Sequence, residues 1–319
     1  MSDDAPDAGA AMDYTALTAR NRALLERMFE PGQYGRACVQ AVADGASVRL
    51  IGNTLWSGSF RNRFEWGAAV FFALPRELDG ELTLTPHRIM VDGDHACVLA
   101  SGRALLKNGR RYDNDYCLCY RLAGGCIVAL DEYLDTETVT ASFGTLAERD
   151  TAPWRPGAME RQPSVRPASY LSSPLRNPLP AARERLHAVL GALDGAAADY
   201  PRRWLELLTD DVDYRVMGRT RLSGRYAGRR DVAARLYGPL LAALDGQPGL
   251  VVDHVGVDGD QVWGRARGHA RTHRGERYDD DYCFCLRFDG GKVSEVIVYL
   301  DSESVTRAFG PAEGPGGAR

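Results

Sequence analysis

The chain has 319 residues, room for two domains at about 150 residues each, and its 45% apolar and 26% charged composition excludes collagen-like and wholly disordered classes. Its 39 basic and 43 acidic residues interleave to a net charge of −4, which leaves no basic footprint for a nucleic-acid backbone. No apolar run approaches the roughly 18 residues of a membrane span, and the acidic start Met1-Ser2-Asp3-Asp4 does not read as a secretory signal. The expectation is a cytoplasmic protein whose seven cysteines are reduced, with neither nucleic acid nor membrane as partner.

Residues 1–12 read as a loose end, followed by a helix with Leu17, Leu24 and Met28 on one side. A strand is expected over Val48 to Gly52, then a helical region closed by Asp79-Gly80. Beyond it, apolar and polar residues alternate, with Val91-Asp92-Gly93-Asp94 and Gly124-Gly125 as turns, which predicts consecutive strands. Residues 147–181, rich in Pro, Arg and Ser, read as an extended connector between domains at 13–146 and 182–310. The second domain opens on a helix carrying Leu186, Val189, Leu190 and Leu193, then a short one with Trp204, Leu205, Leu207 and Leu208. Next come a strand over Tyr214 to Gly218, a helix with Val232, Leu236, Leu240 and Leu244 on one face, and the same alternating run. Pro311 to Arg319 form a loose tail.

The two halves are copies. Gly109-Arg110-Arg111-Tyr112-Asp113-Asn114-Asp115-Tyr116-Cys117-Leu118-Cys119 recurs as Gly275-Glu276-Arg277-Tyr278-Asp279-Asp280-Asp281-Tyr282-Cys283-Phe284-Cys285. Tyr133-Leu134-Asp135 recurs as Tyr299-Leu300-Asp301, and one shift of 166 positions relates all of these pairs. So long a period marks a duplicated domain rather than a solenoid. Helices followed by consecutive strands give an α+β class, each copy a curved antiparallel sheet with three helices on one face.

The order of elements, with Asp-Gly-Asp before a long strand and Tyr112 to Cys117 leading into Gly124-Gly125-Cys126-Ile127 and Glu132-Tyr133-Leu134-Asp135, resembles the nuclear transport factor 2-like superfamily. Within it, both copies are most similar to SnoaL-like and ketosteroid-isomerase-like proteins. The resemblance implies two cone-shaped α+β barrels (the cystatin-like architecture) arranged as a pseudo-dimer, the copies pairing with each other within the chain. It also implies a cofactor-independent acid–base enzyme of bacterial secondary metabolism acting on a hydrophobic small molecule. A cyclase or epoxide-opening cyclase is expected first, with isomerase and dehydratase compatible. The same scaffold also hosts non-catalytic small-molecule binders and interaction modules.

In that superfamily the pocket lies between the concave sheet face and the helices. Side chains alternate along a strand, and the implied parity sends Leu99, Ser101 and Arg103 into the pocket of copy 1, with Arg265, Arg267 and His269 in that of copy 2. Ala100, Gly102 and Ala104, kept as Ala266, Gly268 and Ala270, would then pack against another layer. On the next strand Asn114, Tyr116 and Leu118 point inward, matched by Asp280, Tyr282 and Phe284. On the last, Leu130, Glu132 and Leu134 do so, matched by Val296, Val298 and Leu300. Leu50 and Val216 stand where ketosteroid isomerases carry their base, and Tyr214 joins the second pocket.

Glu132, flanked by leucines at i±2, is a carboxyl whose pKa desolvation would raise toward neutrality, which suits proton transfer. It also matches the position of the catalytic aspartate in limonene-epoxide-hydrolase-like relatives, although the rest of that motif falls on Leu99, Ser101, Val48 and Leu50. Asn114, Tyr116 and Arg103 are its expected aids; the alternative is an ion pair between Glu132 and Arg103. In copy 2, His269 with Asp280 reads as a general base and its orienting partner, with Arg267, Arg265 and Tyr282 stabilising negative charge. The alternative there is a solvated, charge-balanced strand. Cys117 and Cys119 share a strand face but have no further ligand at a metal-site spacing, so they read as buried thiols and no metal is expected. His87, His95, His187 and His254 read as isolated. No Gly-rich phosphate loop is present, and nothing implies a nicotinamide, flavin or haem cofactor.

Overall fold

The computed structural model describes residues 8–145, 177–193 and 199–312. The body of the expected connector lies outside the described residues, as do most of the two loose ends. Its last residues are described, and Pro180 already opens a helix, as befits a residue that gives up no needed N–H in a first turn.

Copy 1 begins with α1 (Ala8–Met28) and α2 (Tyr34–Ala41), and the chain turns at Val42 straight into β1 (Val42–Leu50). The buried stripe of α1 is Tyr14, Asn21, Leu25 and Met28, rotated slightly from the expected one, since Leu17 and Leu24 are only half-buried. A short β2 (Gly58–Phe60) leads to α3 (Arg63–Trp66), whose Asn62 side chain accepts from the Phe64 and Glu65 N–H groups and so caps the first turn. A π turn over Gly67–Phe71 follows. Then come β3 (Thr83–Asp92), β4 (His95–Leu105), β5 (Arg111–Ala123), β6 (Cys126–Leu134) and a closing α4 (Thr136–Phe143). Copy 2 repeats the order as α5 (Pro180–Ala192), α6 (Tyr200–Leu207), β7 (Leu208–Val216), β8 (Gly224–Ala227), α7 (Arg229–Asp231), a π turn over Val232–Tyr237 and α8 (Gly238–Ala243). It ends with β9 (Gly249–Asp258), β10 (Gln261–Arg271), β11 (Arg277–Asp289), β12 (Lys292–Tyr299) and α9 (Ser302–Phe309).

The strands form two six-stranded sheets, β2-β1-β6-β5-β4-β3 and β8-β7-β12-β11-β10-β9. The α+β class holds. The sheets differ from the expected all-antiparallel form in one pair each, because β1 runs parallel to β6 and β7 parallel to β12. Register shifts between Pro86 and Arg88, Arg121 and Leu122, and Val42 and Ser47 mark bulges, with matching ones in copy 2. Bulges bend the strands that carry them, and three per sheet curl it around its helices.

Curvature settles which face of β4 is which. Ala96, Val98 and Ala100 join the apolar core of copy 1, whereas Cys97 and Leu99 join a separate cluster on the other face. The strand-face assignment of β4 and β10 is therefore the reverse of the expected one. Small residues line the concave side because rings from the adjacent strand lie over them: a Cβ on Gly102 would come within 2.4 Å of the Tyr116 ring, and one on Gly268 within 2.6 Å of Tyr282. Register forces the same conclusion, since Ala100 pairs with Tyr116 and so shares its face.

The convex faces pack against each other. Their shared layer contains Cys97, Leu99, Tyr133, Trp263, Ile297 and Tyr299. At its centre Asp131 accepts from Arg49 Nε at 3.2 Å and from Arg265 Nη1 at 2.7 Å, while Arg49 Nη1 donates to Asp281 at 2.8 Å. Contacts across the layer come in reciprocal pairs. Val91 N donates to Asp258 and Val257 N to Asp92; Glu137 N donates to Ser302 Oγ and Glu303 N to Thr136 Oγ1, so α4 and α9 each receive a capping hydroxyl from the other copy. The symmetry is not complete. Met90 pairs with Cys97 in copy 1, where copy 2 pairs Gly256 with Trp263, and a Cβ on Gly256 would come within 2.3 Å of the indole. His95 and His254, expected to be isolated, stack across the layer with ring centroids 4.2 Å apart.

Candidate active site

Each cone encloses a cavity, and the two differ. That of copy 1 has a volume of about 560 Å³, that of copy 2 about 130 Å³. One cause of the difference is Phe284, which stands where copy 1 has Leu118; its ring lies so closely over Gly264 that a Cβ there would meet it at 2.2 Å.

Glu132 is in the wall of the larger cavity. Strand register surrounds it on the same face: Leu50 of β1 and Leu118 of β5 are its direct lateral partners, and Leu130 and Leu134 stand at i±2. Leu50, Leu118 and Leu134 also line the cavity, whereas Leu130 is fully buried in the core. Burial pushes the Glu132 carboxyl up to about 7, with no hydrogen bond or neighbouring cation to offset it. The side chain is half-exposed by area, but that exposure is to the cavity. Near it are the phenols of Tyr34, Tyr112, Tyr116 and Tyr120, each pushed up chiefly by burial and secondarily by neighbours that include this carboxylate. The Tyr112 and Tyr116 hydroxyls are 3.0 Å apart.

The helices complete the wall with residues that the strand-based reading did not consider. Tyr34 comes from α2, Trp66 from α3, and Val70 and Phe71 from the π turn. The indole N–H of Trp66 is buried without an acceptor among the described residues, a donor available to a bound polar group. The available sequence signal was the aromatic content of 56–72, opposite a face already read as a pocket.

Several expected site residues lie elsewhere. Arg103, Ser101 and Leu99 stand on the convex face: Arg103 Nη1 donates to the Gly102 carbonyl at 2.8 Å, and Ser101 to Asp115 at 2.6 Å. An Arg103–Glu132 pair is excluded by this placement. Asn114 faces inward, yet its amide is used structurally: Nδ2 donates to the Asp135 carbonyl at 3.0 Å and Oδ1 accepts from the Asp135 N–H at 3.1 Å, clamping β5 to the start of α4.

In copy 2, Tyr214, Val216, Tyr282, Phe284 and Val298 line the small cavity, whose wall has no carboxylate. Arg265 is buried in the layer between copies against Asp131, and Arg267 donates to Asp253 at 3.1 Å on that same face. The His269 ring is half-exposed and its Nδ1 lies 3.5 Å from Asp279, not Asp280. Gly268 faces the cavity, so the reversed face of β10 moves Arg265 and Arg267 away from it, while His269 remains at its border. His269, Arg267 and Asp280 instead border a polar pocket of about 390 Å³ at the junction of the copies, with Arg49, Asp281 and Asp301. Asp280 Oδ1 accepts from the Asp301 N–H at 3.0 Å, and Oδ2 is buried without a partner. Burial, then the Asp301 charge, holds this carboxyl well above the usual carboxylate range. An acid that holds its proton more tightly than usual therefore stands where copy 1 has Asn114.

Residues 189–296 match the family described as the SnoaL-like domain. The chain carries a SnoaL-like domain. Copy 1 repeats its elements strand for strand, giving a tandem of two nuclear transport factor 2-like cones. Solved structures similar to the chain include a protein of Jannaschia sp. CCS1 provisionally assigned as a SnoaL-like polyketide cyclase, at 20% identity, covering 43% of this chain and 97% of that one with a TM-score of 0.36. Bal32a, from a soil-derived mobile gene cassette, is 24% identical over 40% of this chain and 97% of its own, with a TM-score of 0.35. TerC, co-crystallised with polyporic acid, is 16% identical over 39% and 97%, with a TM-score of 0.35. No protein with curated annotation matches the chain. Among the described residues no helix is long and apolar enough to cross a membrane.

Proposed function

We propose that copy 1 of this SnoaL-like tandem is a cofactor-independent acid–base catalyst of the cyclase type, and that copy 2 supports it without a proton-transfer group of its own. One observation carries the reading: a carboxyl set among leucines and poised near pH 7 stands in the wall of a mainly apolar and aromatic cavity of about 560 Å³, whose other charged residues, Arg36 and Glu81, are exposed. Such a cavity suits a flat or polycyclic hydrophobic molecule bearing a few oxygens.

Glu132, as carboxylate, removes a proton from carbon next to a carbonyl. The leucines around it keep water from solvating the anion, and the nearby phenols and the Trp66 N–H are donors for the oxyanion that develops. Ring closure follows when the resulting enolate carbon attacks a second carbonyl carbon held in the same cavity; the C=O π pair moves to that oxygen, which takes back the proton from Glu132. The copy 2 cavity, with Val298 where copy 1 has Glu132, has no equivalent carboxylate, and the His269 at its border is half-exposed beside Asp279.

The test is turnover of aromatic and polyketide-like carbonyl compounds by wild type, Glu132→Gln and Asp280→Asn. Glu132→Gln is expected to lower kcat by about 10²- to 10⁴-fold with ligand binding retained, and Asp280→Asn to change it less than twofold. Equal turnover by Glu132→Gln and wild type overturns the assignment. Tight binding by both without any turnover favours a non-catalytic binder.

A further inference from the structure

The layer between the copies gathers cysteines that are far apart in sequence. Cys97 of β4 lies directly opposite Cys119 of β5, Cys117 is on the same face, and Cys283 of β11 approaches from the other copy. Cys117 Sγ is 3.0 Å from Cys283 Sγ and 3.4 Å from Cys97 Sγ, and Cys119 Sγ is 3.5 Å from Cys283 Sγ. All four sulfurs lie within 4.8 Å of one another, and none of the four residues is more than 4% exposed. We propose that Cys97, Cys117, Cys119 and Cys283 form a tetrathiolate site for a thiophilic divalent cation of the zinc type, holding the two copies together.

Zinc–sulfur bonds of about 2.3 Å in a tetrahedron put the sulfurs about 3.8 Å apart, so these thiols need move by less than an ångström. Buried cysteines also serve as small apolar side chains, and a second feature separates the two roles. Arg265 is 4% exposed and its Nε–H is buried with no acceptor among the described residues. Its Nη1 is paired with Asp131 at 2.7 Å, so what it lacks is an acceptor for Nε–H, and a metal-bound thiolate in this layer is a far stronger acceptor than a neutral thiol. Cys285, 3.8 Å from Cys97, is a further thiol beside the site. Four protein ligands leave no open position, so the ion is structural rather than catalytic. The requirement that defeated the sequence reading, a third and fourth ligand, is met by β4 and by the other copy.

The full chain, reduced and stripped with a chelator, is titrated anaerobically with Co²⁺ and then Zn²⁺. One Co²⁺ per chain is expected, with thiolate-to-cobalt charge-transfer and tetrahedral d–d absorption, displaced by one Zn²⁺ and accompanied by a higher Tm. The double variant C117S/C283S is expected to lose the bands, while C38S and C126S keep them. A second measurement needs no variant: bound Zn²⁺ is expected to protect these four cysteines from alkylation, as mapped by mass spectrometry. Folded wild type without the cobalt bands, a folded C117S/C283S that retains them, or an alkylation pattern unchanged by Zn²⁺ overturns the site. Binding of Cu⁺ alone overturns the choice of ion.

Discussion

At the scale of the residue, two inward-facing acids behave differently because their neighbours do. Glu132 has four leucines around it and a cavity in front, so it keeps a carboxylate available for work near neutrality. If it acts as base, the rate is expected to rise with pH through about 7 and then level, and the limb should disappear in Glu132→Gln; a falling limb would assign it the role of acid instead. Asp280 is spent on structure. Its folded pKa lies above that of the unfolded chain, so the folded state holds the proton more tightly and stability falls as pH rises from about 4 toward the folded value. Asp280→Asn, which supplies the donor and acceptor set of Asn114, is expected to match wild type below pH 4. At pH 8 it should be more stable by about 1–3 kcal/mol in urea unfolding. Equal stability at both pH values would show that Oδ2 finds a partner in solution.

At the scale of the element, strand periodicity alone could not say which of two faces is concave. Along β4, Ala100, Gly102 and Ala104 alternate with Leu99, Ser101 and Arg103, and either set is compatible with either face. The missing information was register: Ala100 lies opposite Tyr116, whose inward direction the family resemblance implied. Glu132 and the strand order were readable because both follow from alternation and turn residues. The helix-borne wall was not, because Trp66 and Phe71 meet the sheet only once α3 and its π turn fold over it. Register also predicts a coupling. Gly256→Met is expected to cost about 1–3 kcal/mol through collision with Trp263, and adding Trp263→Cys, which recreates the Met90–Cys97 pair, should recover at least half of it. Additive losses in the double variant would break this account.

At the scale of the whole molecule, ion pairs cross between the copies at several points, among them Arg49–Asp281, Arg88–Glu295 and Arg22–Asp258, and the most buried acid in such a pair is Asp131. Asp131 is 2% exposed and lies between Arg49 and Arg265, one from each copy. Its removal leaves two guanidinium groups buried with less compensation, and Asp131→Ala is expected to cost about 3–5 kcal/mol, read as a fall in the urea midpoint. A loss under 1 kcal/mol would place the adhesion of the copies in the apolar layer and the other ion pairs that cross it. None of this network was visible in the sequence, where Asp131 and Arg265 are separated by 134 positions and differ from their own counterparts.

The unequal pairs Met90–Cys97 and Gly256–Trp263 have an evolutionary consequence. Two identical subunits must present the same surface twice, so an indole on one would bring a second indole into the same layer from the other. Joining the subunits in one chain removes that constraint, and a bulky ring on one side can be answered by a thiol on the other. Expressed as separate polypeptides, the halves would therefore recognise each other in preference to themselves, a lock and key that began as two copies of the same key.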